Sequence, residues 1–146
     1  MGNKFECDPP AAAPHDARIF LASEAIFCED DLRGLINNIY SEYRYKRAQS
    51  AKLARLINFL ALEDNLFLQP ELADQKNRLS DYLNSFQDFL NRNFQPERQD
   101  ENGDTIYFLA LEETGFEAEA FLIEFQMLAM DIEKAYRDYR AAANGR

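Results

Sequence analysis

Three carboxylates recur at seven-residue intervals towards the C-terminus: Glu117, Glu124 and Asp131. Side chains seven residues apart in an α-helix lie on nearly the same face, so these carboxylates form what we call the acidic row. Carboxylates without nitrogen or sulfur ligands prefer hard cations such as Mg²⁺ or Mn²⁺. The acidic row is therefore one candidate site for chemistry, provided that its charges are not neutralised by cationic side chains.

The helix predicted over 116–142 carries two apolar rows, with the acidic row between them. The first row comprises Phe121, Phe125, Leu128, Ile132, Ala135 and Tyr139. The second row comprises Phe116, Ala120, Ile123, Met127 and Met130. A helix at the surface of a domain needs only one apolar face, so the second row indicates a central helix or contact with another protein. The adaptable methionine side chains suit an interface.

The acidic row is compatible with three arrangements. In the first, the second apolar row is an interface and the carboxylates form its polar rim. In the second, the helix is central and the carboxylates pair with Arg44, Arg47 or Arg55. In the third, they line a pocket for a metal ion or a ligand. The third is the least favourable, because burying several like charges without partners is costly.

A local basic segment contrasts with the rest of the chain. Residues 41–60 hold five cationic side chains and one acid, whereas the whole chain has a net charge of −10. If this segment is helical, Arg44, Arg47, Lys52 and Arg55 share one face. That face is a candidate site for an anionic ligand, RNA or an acidic partner, and the alternative is an ordinary solvated surface. Elsewhere the negative charge opposes nucleic-acid binding.

The remaining residue types offer little for catalysis. The chain has one histidine, His15, and two cysteines, Cys7 and Cys28. One imidazole is too few for the histidine-containing di-iron and zinc sites, and the acids after Cys28 oppose thiolate formation. No glycine-rich phosphate-binding motif occurs in the sequence. We therefore predict a protein that is not an enzyme and needs no cofactor.

The elements that position these side chains are predicted to be helical. Five glycines and five prolines are few for a β-rich chain, and 12 Phe and 7 Tyr supply a core. Apolar spacings of three and four predict one long helix over 30–63, rather than two helices broken near 47–50. The next helix begins at Pro70 and stops before Pro96. Residues 95–105 are predicted to form a polar loop, while 106–111 suit either a strand or a helix start.

These elements predict an all-α fold: a single-domain antiparallel bundle of four main helices, with a short additional helix near the N-terminus. The bundle is expected over 15–142, after a flexible arm at 1–14 and before a frayed end at 143–146. The sequence contains neither a signal-peptide pattern nor a membrane-length apolar run. A cytoplasmic location with reduced thiols is therefore expected, without membrane association.

The function expected from this surface is that of an acidic, non-enzymatic protein–protein interaction module, such as an adaptor, an inhibitor or an assembly subunit. Its partner is expected to be another protein with a basic surface, or a second copy of the chain in a homodimer. One alternative is a bundle that binds a ligand or a divalent metal through the carboxylates of the last helix. Another is a subunit that contacts RNA through the local basic face.

Overall fold

The computed structural model describes residues 13–110 and 115–144, apart from the side chains of 115–118. Its helices are α1 (Pro14–Ile26), α2 (Glu29–Glu42), α3 (Arg47–Ala61), α4 (Pro70–Asn93) and α5 (Gly115–Asn144), with a 3₁₀ turn at Glu63–Asn65. Its strands are β1 (Arg44–Lys46), β2 (Phe94–Gln99) and β3 (Thr105–Leu109). A mostly helical chain was expected and is confirmed, but the fold is not purely all-α, because the strands form a small antiparallel sheet.

The prediction of one long helix over 30–63 is wrong. Helix α2 ends at Glu42, and Tyr43 adopts the left-handed backbone conformation, with φ 55°. The chain then runs as β1 beside β3, and α3 begins at Arg47. The apolar spacing of the sequence continues across this break and gives no sign of it. The break depends on pairing with β3, which comes much later in the chain.

The predicted polar loop over 95–105 is also wrong, since most of it belongs to a β-hairpin. Strand β2 pairs antiparallel with β3, with an irregularity in the register between Pro96 and Arg98. The sheet order is β1-β3-β2, so β3 lies in the middle. Residues 106–111 were ambiguous in the sequence, and 106–109 belong to β3. The polar composition of β2 gives no alternation of apolar and polar residues by which a strand is recognised.

The hairpin turn is organised by one carboxylate. Asp100 accepts backbone N–H groups from Asn102 and Asp104, both at 2.9 Å. Gly103 provides a positive φ of 81°, which residues with a side chain adopt only with strain. The backbone N–H of Asp104, together with Lys46 and the backbone N–H of Asn102, holds the pKa of Asp100 below its ordinary value, although partial desolvation opposes this.

The core of the fold is rich in aromatic rings contributed by α4 and α5. In the first apolar row of α5, Leu128 is half-buried and the other members are buried. The ring of Phe89 on α4 lies 5.2 Å from that of Phe121 and 5.8 Å from that of Phe125. Such close aromatic packing fixes which face of α5 points inward.

Two neighbouring side chains attach α1 to the segment that leads into α4. The buried carboxylate of Asp16 accepts the backbone N–H groups of Leu68 and Gln69, each at 2.9 Å. The His15 Nε2 atom lies 3.0 Å from the carbonyl oxygen of Leu66. Helix α1 begins at Pro14, and α5 continues to Asn144. Most of the predicted arm at 1–14 and the last two residues lie outside the described residues.

None of the helices within the described ranges combines the length and the apolar character needed to cross a membrane.

Candidate interaction face on helix α5

The second apolar row lies on the outer side of α5. Ile123, Met127 and Met130 are 58%, 64% and 68% exposed, and Ala120 is exposed as well. Phe116 belongs to the part of α5 whose side chains are outside the described residues. Helix α5 therefore has a buried face and an opposite apolar outer face, instead of a central position in which both rows are covered.

The acidic row runs along the seam between α4 and α5. Glu124 accepts a hydrogen bond of 3.0 Å from Arg92, and Asp138, which continues the row, lies 4.0 Å from Arg78 and 2.9 Å from Lys134. The arrangement in which the carboxylates pair with Arg44, Arg47 or Arg55 is not the one found for Glu124 and Asp138, whose partners are Arg92, Arg78 and Lys134. The side chain of Glu117 lies outside the described residues.

The two arginines follow the same spacing as the carboxylates. Arg78 and Arg92 are two heptads apart on α4, as Glu124 and Asp138 are on α5, so the two helices run antiparallel along this seam. Midway between the ion pairs, this register places Ser85 opposite Asp131. Both side chains are exposed, and no ion pair is recorded for Asp131 within the described part of the chain. The fourteen-residue spacing of the arginines, which equals that of Glu124 and Asp138, was the sequence signal that could have identified them.

The acidic row does not converge on a point. Among the described residues, no group of three or more His, Cys, Asp or Glu side chains is placed so that it could hold a metal ion. The distances above show instead that the carboxylates on this seam are paired with cations or directed to solvent.

The candidate basic patch is divided between different elements. The expectation that Arg44 shares a helical face with Arg47, Lys52 and Arg55 is wrong, because Arg44 lies in β1. Lys52 contacts a carboxylate oxygen of Asp31 at 3.3 Å, whereas Arg47 and Arg55 are exposed on α3.

Arg44 instead belongs to a cross-strand group that the sequence did not reveal. Its guanidinium carbon lies 5.8 Å from the ring centre of Phe108, and that of Arg98 lies 5.4 Å from the same ring centre. Since β3 lies between β1 and β2, the two arginines approach Phe108 from opposite sides. Arg44 also pairs with Glu42 at 3.2 Å, so one of these cations is already neutralised.

The C-terminal half of α5 is anchored to α1 and α2, which fixes the orientation of its outer face. The Tyr136 hydroxyl lies 2.6 Å from a carboxylate oxygen of Glu24 and 2.7 Å from the carbonyl oxygen of Phe27. Arg140 contacts Glu29 at 2.5 Å and Glu24 at 3.4 Å. Burial raises the pKa of Tyr136, as does the neighbouring Glu24 carboxylate, so the phenol remains protonated at neutral pH.

The N-terminal half of the outer face is held by α2. The Gln126 amide donates a hydrogen bond to the Tyr40 hydroxyl, and the Tyr40 ring packs against Phe125 with 5.5 Å between ring centres.

No protein-family model, curated protein or solved structure matches this chain.

Proposed function

We propose that this protein is a non-enzymatic interaction module that binds a partner protein through the outer face of α5. The observation that carries the proposal is the row formed by Ile123, Met127 and Met130, each more than half exposed on a helix whose opposite side packs on the core. Isolated apolar side chains are common on protein surfaces, but an aligned row along one helix face is typical of an interface. Methionine adapts its shape to a partner more readily than branched residues do.

The charges beside this row favour a partner with a basic surface. The acidic row flanks it on the side of α4, and the Asp131 carboxylate at its centre has no recorded ion pair among the described residues. A partner that offers an apolar groove with a basic rim would bury the row and neutralise Asp131 together. The net charge of −10 would also accelerate the approach to a basic surface. We therefore favour an adaptor, an inhibitor or an assembly subunit that docks on a basic protein.

A second copy of the chain fits this face less well. In an antiparallel two-fold pairing of α5 helices, the acidic row of one copy would face the acidic row of the other. In a parallel pairing it would face the opposite flank, which carries two acids, Glu119 and Glu133, and one cation, Arg137. Either arrangement brings like charges together, in addition to the repulsion between two molecules of net charge −10.

The test is a tagged pull-down from the lysate of the native host, with nuclease treatment in parallel and mass spectrometry as the readout. The variant Met127→Glu places a charge in the apolar row, and Asn77→Glu adds the same charge at an exposed position on α4. We expect a stoichiometric protein partner that survives nuclease, is retained by Asn77→Glu and is lost with Met127→Glu. Retention of the partner by a folded Met127→Glu variant would show that this face does not bind it.

Light scattering after size-exclusion chromatography tests the homodimer directly. We expect a monomer at micromolar concentration, and a dimer dissociated by Met127→Glu would replace the proposed partner with a second copy.

Two further aspects belong to the proposal. We propose that the helices as a whole form an antiparallel bundle, which the antiparallel seam between α4 and α5 supports. We also propose a cytoplasmic location. The free thiol of Cys28 supports this proposal, because the reducing cytoplasm keeps thiols unpaired.

A further inference from the structure

A cleft between α3, α4 and the sheet lies away from the outer face of α5. Its volume is about 210 Å³. Its polar lining comprises Tyr45, Arg47, Ser50, Gln87, Asn91 and Tyr107. The rings of Tyr45 and Tyr107 are stacked with 5.1 Å between their centres and 3° between their planes. Since Tyr45 is buried and Tyr107 half-buried, the cleft combines mainly the accessible surface of the Tyr107 ring with hydrogen-bonding groups from two helices.

The charge of this cleft is unusual for so acidic a protein. Its lining includes the cation of Arg47 and no carboxylate, although the chain has 26 acidic residues. A second cavity, between α2 and α3, is lined by Asp30, Asp31 and Lys52, and a third holds Arg140 among three carboxylates. In those two cavities the cation is paired, whereas Arg47 has no recorded ion pair within the described residues. The cleft is therefore the one of these three cavities with an uncompensated positive charge.

The other polar groups add donors near this charge. Gln87 and Asn91 are one turn apart on α4, so both amides lie on the same side of the helix. Ser50 donates its only hydroxyl hydrogen to the carbonyl oxygen of Arg47 at 3.0 Å, so the donors for an anion are Arg47 and the two amides. The positive end of the α3 dipole lies nearby, but the Asp104 carboxylate already accepts the backbone N–H of Ala48 there at 3.4 Å, so the charge available to a ligand is that of Arg47. Ala51 and Ala54 leave the α3 side of the cleft open.

We propose that this cleft binds a small organic anion with a flat apolar body, such as an aromatic carboxylate or an aryl phosphate. Its anionic group would contact Arg47, and its ring would lie along the tyrosine pair. The volume is below that of pockets for drug-sized ligands, which favours a molecule of roughly ten non-hydrogen atoms. The inference is independent of the proposed interaction face, because no residue of α5 lines the cleft.

The probes are benzoate, phenyl phosphate and the neutral benzyl alcohol, titrated into the full chain and followed by amide NMR shifts. We expect saturable binding of at least one anion, with the largest shifts at Tyr45, Tyr107 and the first turn of α3. Benzyl alcohol should bind about tenfold more weakly, because it lacks the charge-assisted hydrogen bond to Arg47. A preference for benzoate over phenyl phosphate, or the reverse, identifies the anionic group.

Matched variants separate the cleft from general charge effects. Arg47→Gln should weaken anion binding about tenfold. Arg55→Gln removes the same charge from an exposed position on α3 outside the cleft and should leave binding unchanged. Ala54→Leu fills the cleft without altering charge and should abolish binding, with folding confirmed by circular dichroism.

Two results would overturn the proposal. One is the absence of saturable binding by either anion at millimolar concentration. The other is equal binding by the wild type and Arg47→Gln. Since Arg47 is exposed, its substitution leaves the fold intact and keeps the test decisive even if Ala54→Leu does not fold.

Discussion

The carboxylate of Asp16 accepts the backbone N–H of Gln69 at 2.9 Å, although the two residues lie in different parts of the fold. Its other oxygen accepts the N–H of Leu68 at the same distance. Gln69 immediately precedes α4, whose first residue is Pro70, and it makes no side-chain cap of its own to that helix. A residue in the first turn of α1 therefore supplies the acceptors for the approach to α4.

We predict that Asp16→Ala lowers the free energy of unfolding by about 2 kcal/mol, because two part-buried N–H groups lose the charged acceptor that the buried Asp16 provides. Asp16→Asn keeps one acceptor oxygen and should cost less. Urea unfolding followed by circular dichroism measures both. A loss below about 0.5 kcal/mol in Asp16→Ala would mean that water replaces the carboxylate at no cost.

The seam between α4 and α5 allows a gain in stability. Ser85→Arg should place a third arginine between Arg78 and Arg92, opposite Asp131, and stabilise the fold by about 0.5 kcal/mol, as expected for an exposed ion pair. The gain should disappear in the double variant with Asp131→Asn, which completes a double-mutant cycle. If the gain persists without the carboxylate, the deduced register of the two helices is incorrect.

Acid unfolding should depend on Asp31. Burial raises the pKa of its carboxyl, but hydrogen bonds from Cys28 and Lys52 outweigh burial and leave the pKa below the ordinary value of 3.8. A lowered pKa in the folded state means that the stabilisation is present above the ordinary value and is lost as the pH falls through the folded value.

We therefore expect wild type to be more stable than Asp31→Asn at neutral pH, with the difference shrinking as the pH falls below 3.8. Urea titrations at a series of pH values measure this difference. Asp30→Asn, at an exposed neighbouring position, is the control. A difference between wild type and Asp31→Asn that does not change with pH would contradict the assignment.

Alkaline unfolding should involve three tyrosines. Burial raises the pKa of Tyr45, Tyr136 and Tyr139 above the ordinary value of 10.0. Raised values in the folded state mean that this stabilisation is complete below 10.0 and is lost as the pH rises through the folded values. These three tyrosines should ionise only together with loss of helical structure.

Phenolate absorbance and circular dichroism, recorded on the same samples, test whether ionisation of these tyrosines and loss of helical structure occur at the same pH. Tyr136→Phe should reduce the absorbance change that accompanies the loss of helical structure. If all seven tyrosines ionised in one phase while the helices persisted, the three would not be protected by burial.

The sequence predicted those parts of the fold that local pattern determines. Helix α4 begins at Pro70, as expected, and it ends before Pro96. The break at Tyr43 could not be predicted, because it depends on pairing with β3 and the local apolar spacing continues through it. Strand β2 was missed for a related reason, since its residues after Phe94 are exposed and polar.

The candidate site was predicted unevenly. The second apolar row was visible in the spacing of Ile123, Met127 and Met130, because a helix has one regular geometry. The sequence did not show which helix lies beside the acidic row, since packing across the whole fold decides that α4 and α5 are adjacent. Arg92 and Arg78 were consequently missed as partners of the carboxylates. Arg44 was assigned to a helix, although it lies in β1.

The corner between α2 and α3 is held by residues that are translated after it. The carbonyl of Tyr43 accepts the N–H of Leu109 at 3.0 Å, and β3 is the neighbour of β1 among the described strands. A nascent chain that has left the ribosome only through α4 still lacks β3, and its local periodicity over 30–63 favours a straight helix. The corner can therefore be completed only late in synthesis, and amide exchange at Leu109 should report the moment at which both halves of the chain are joined.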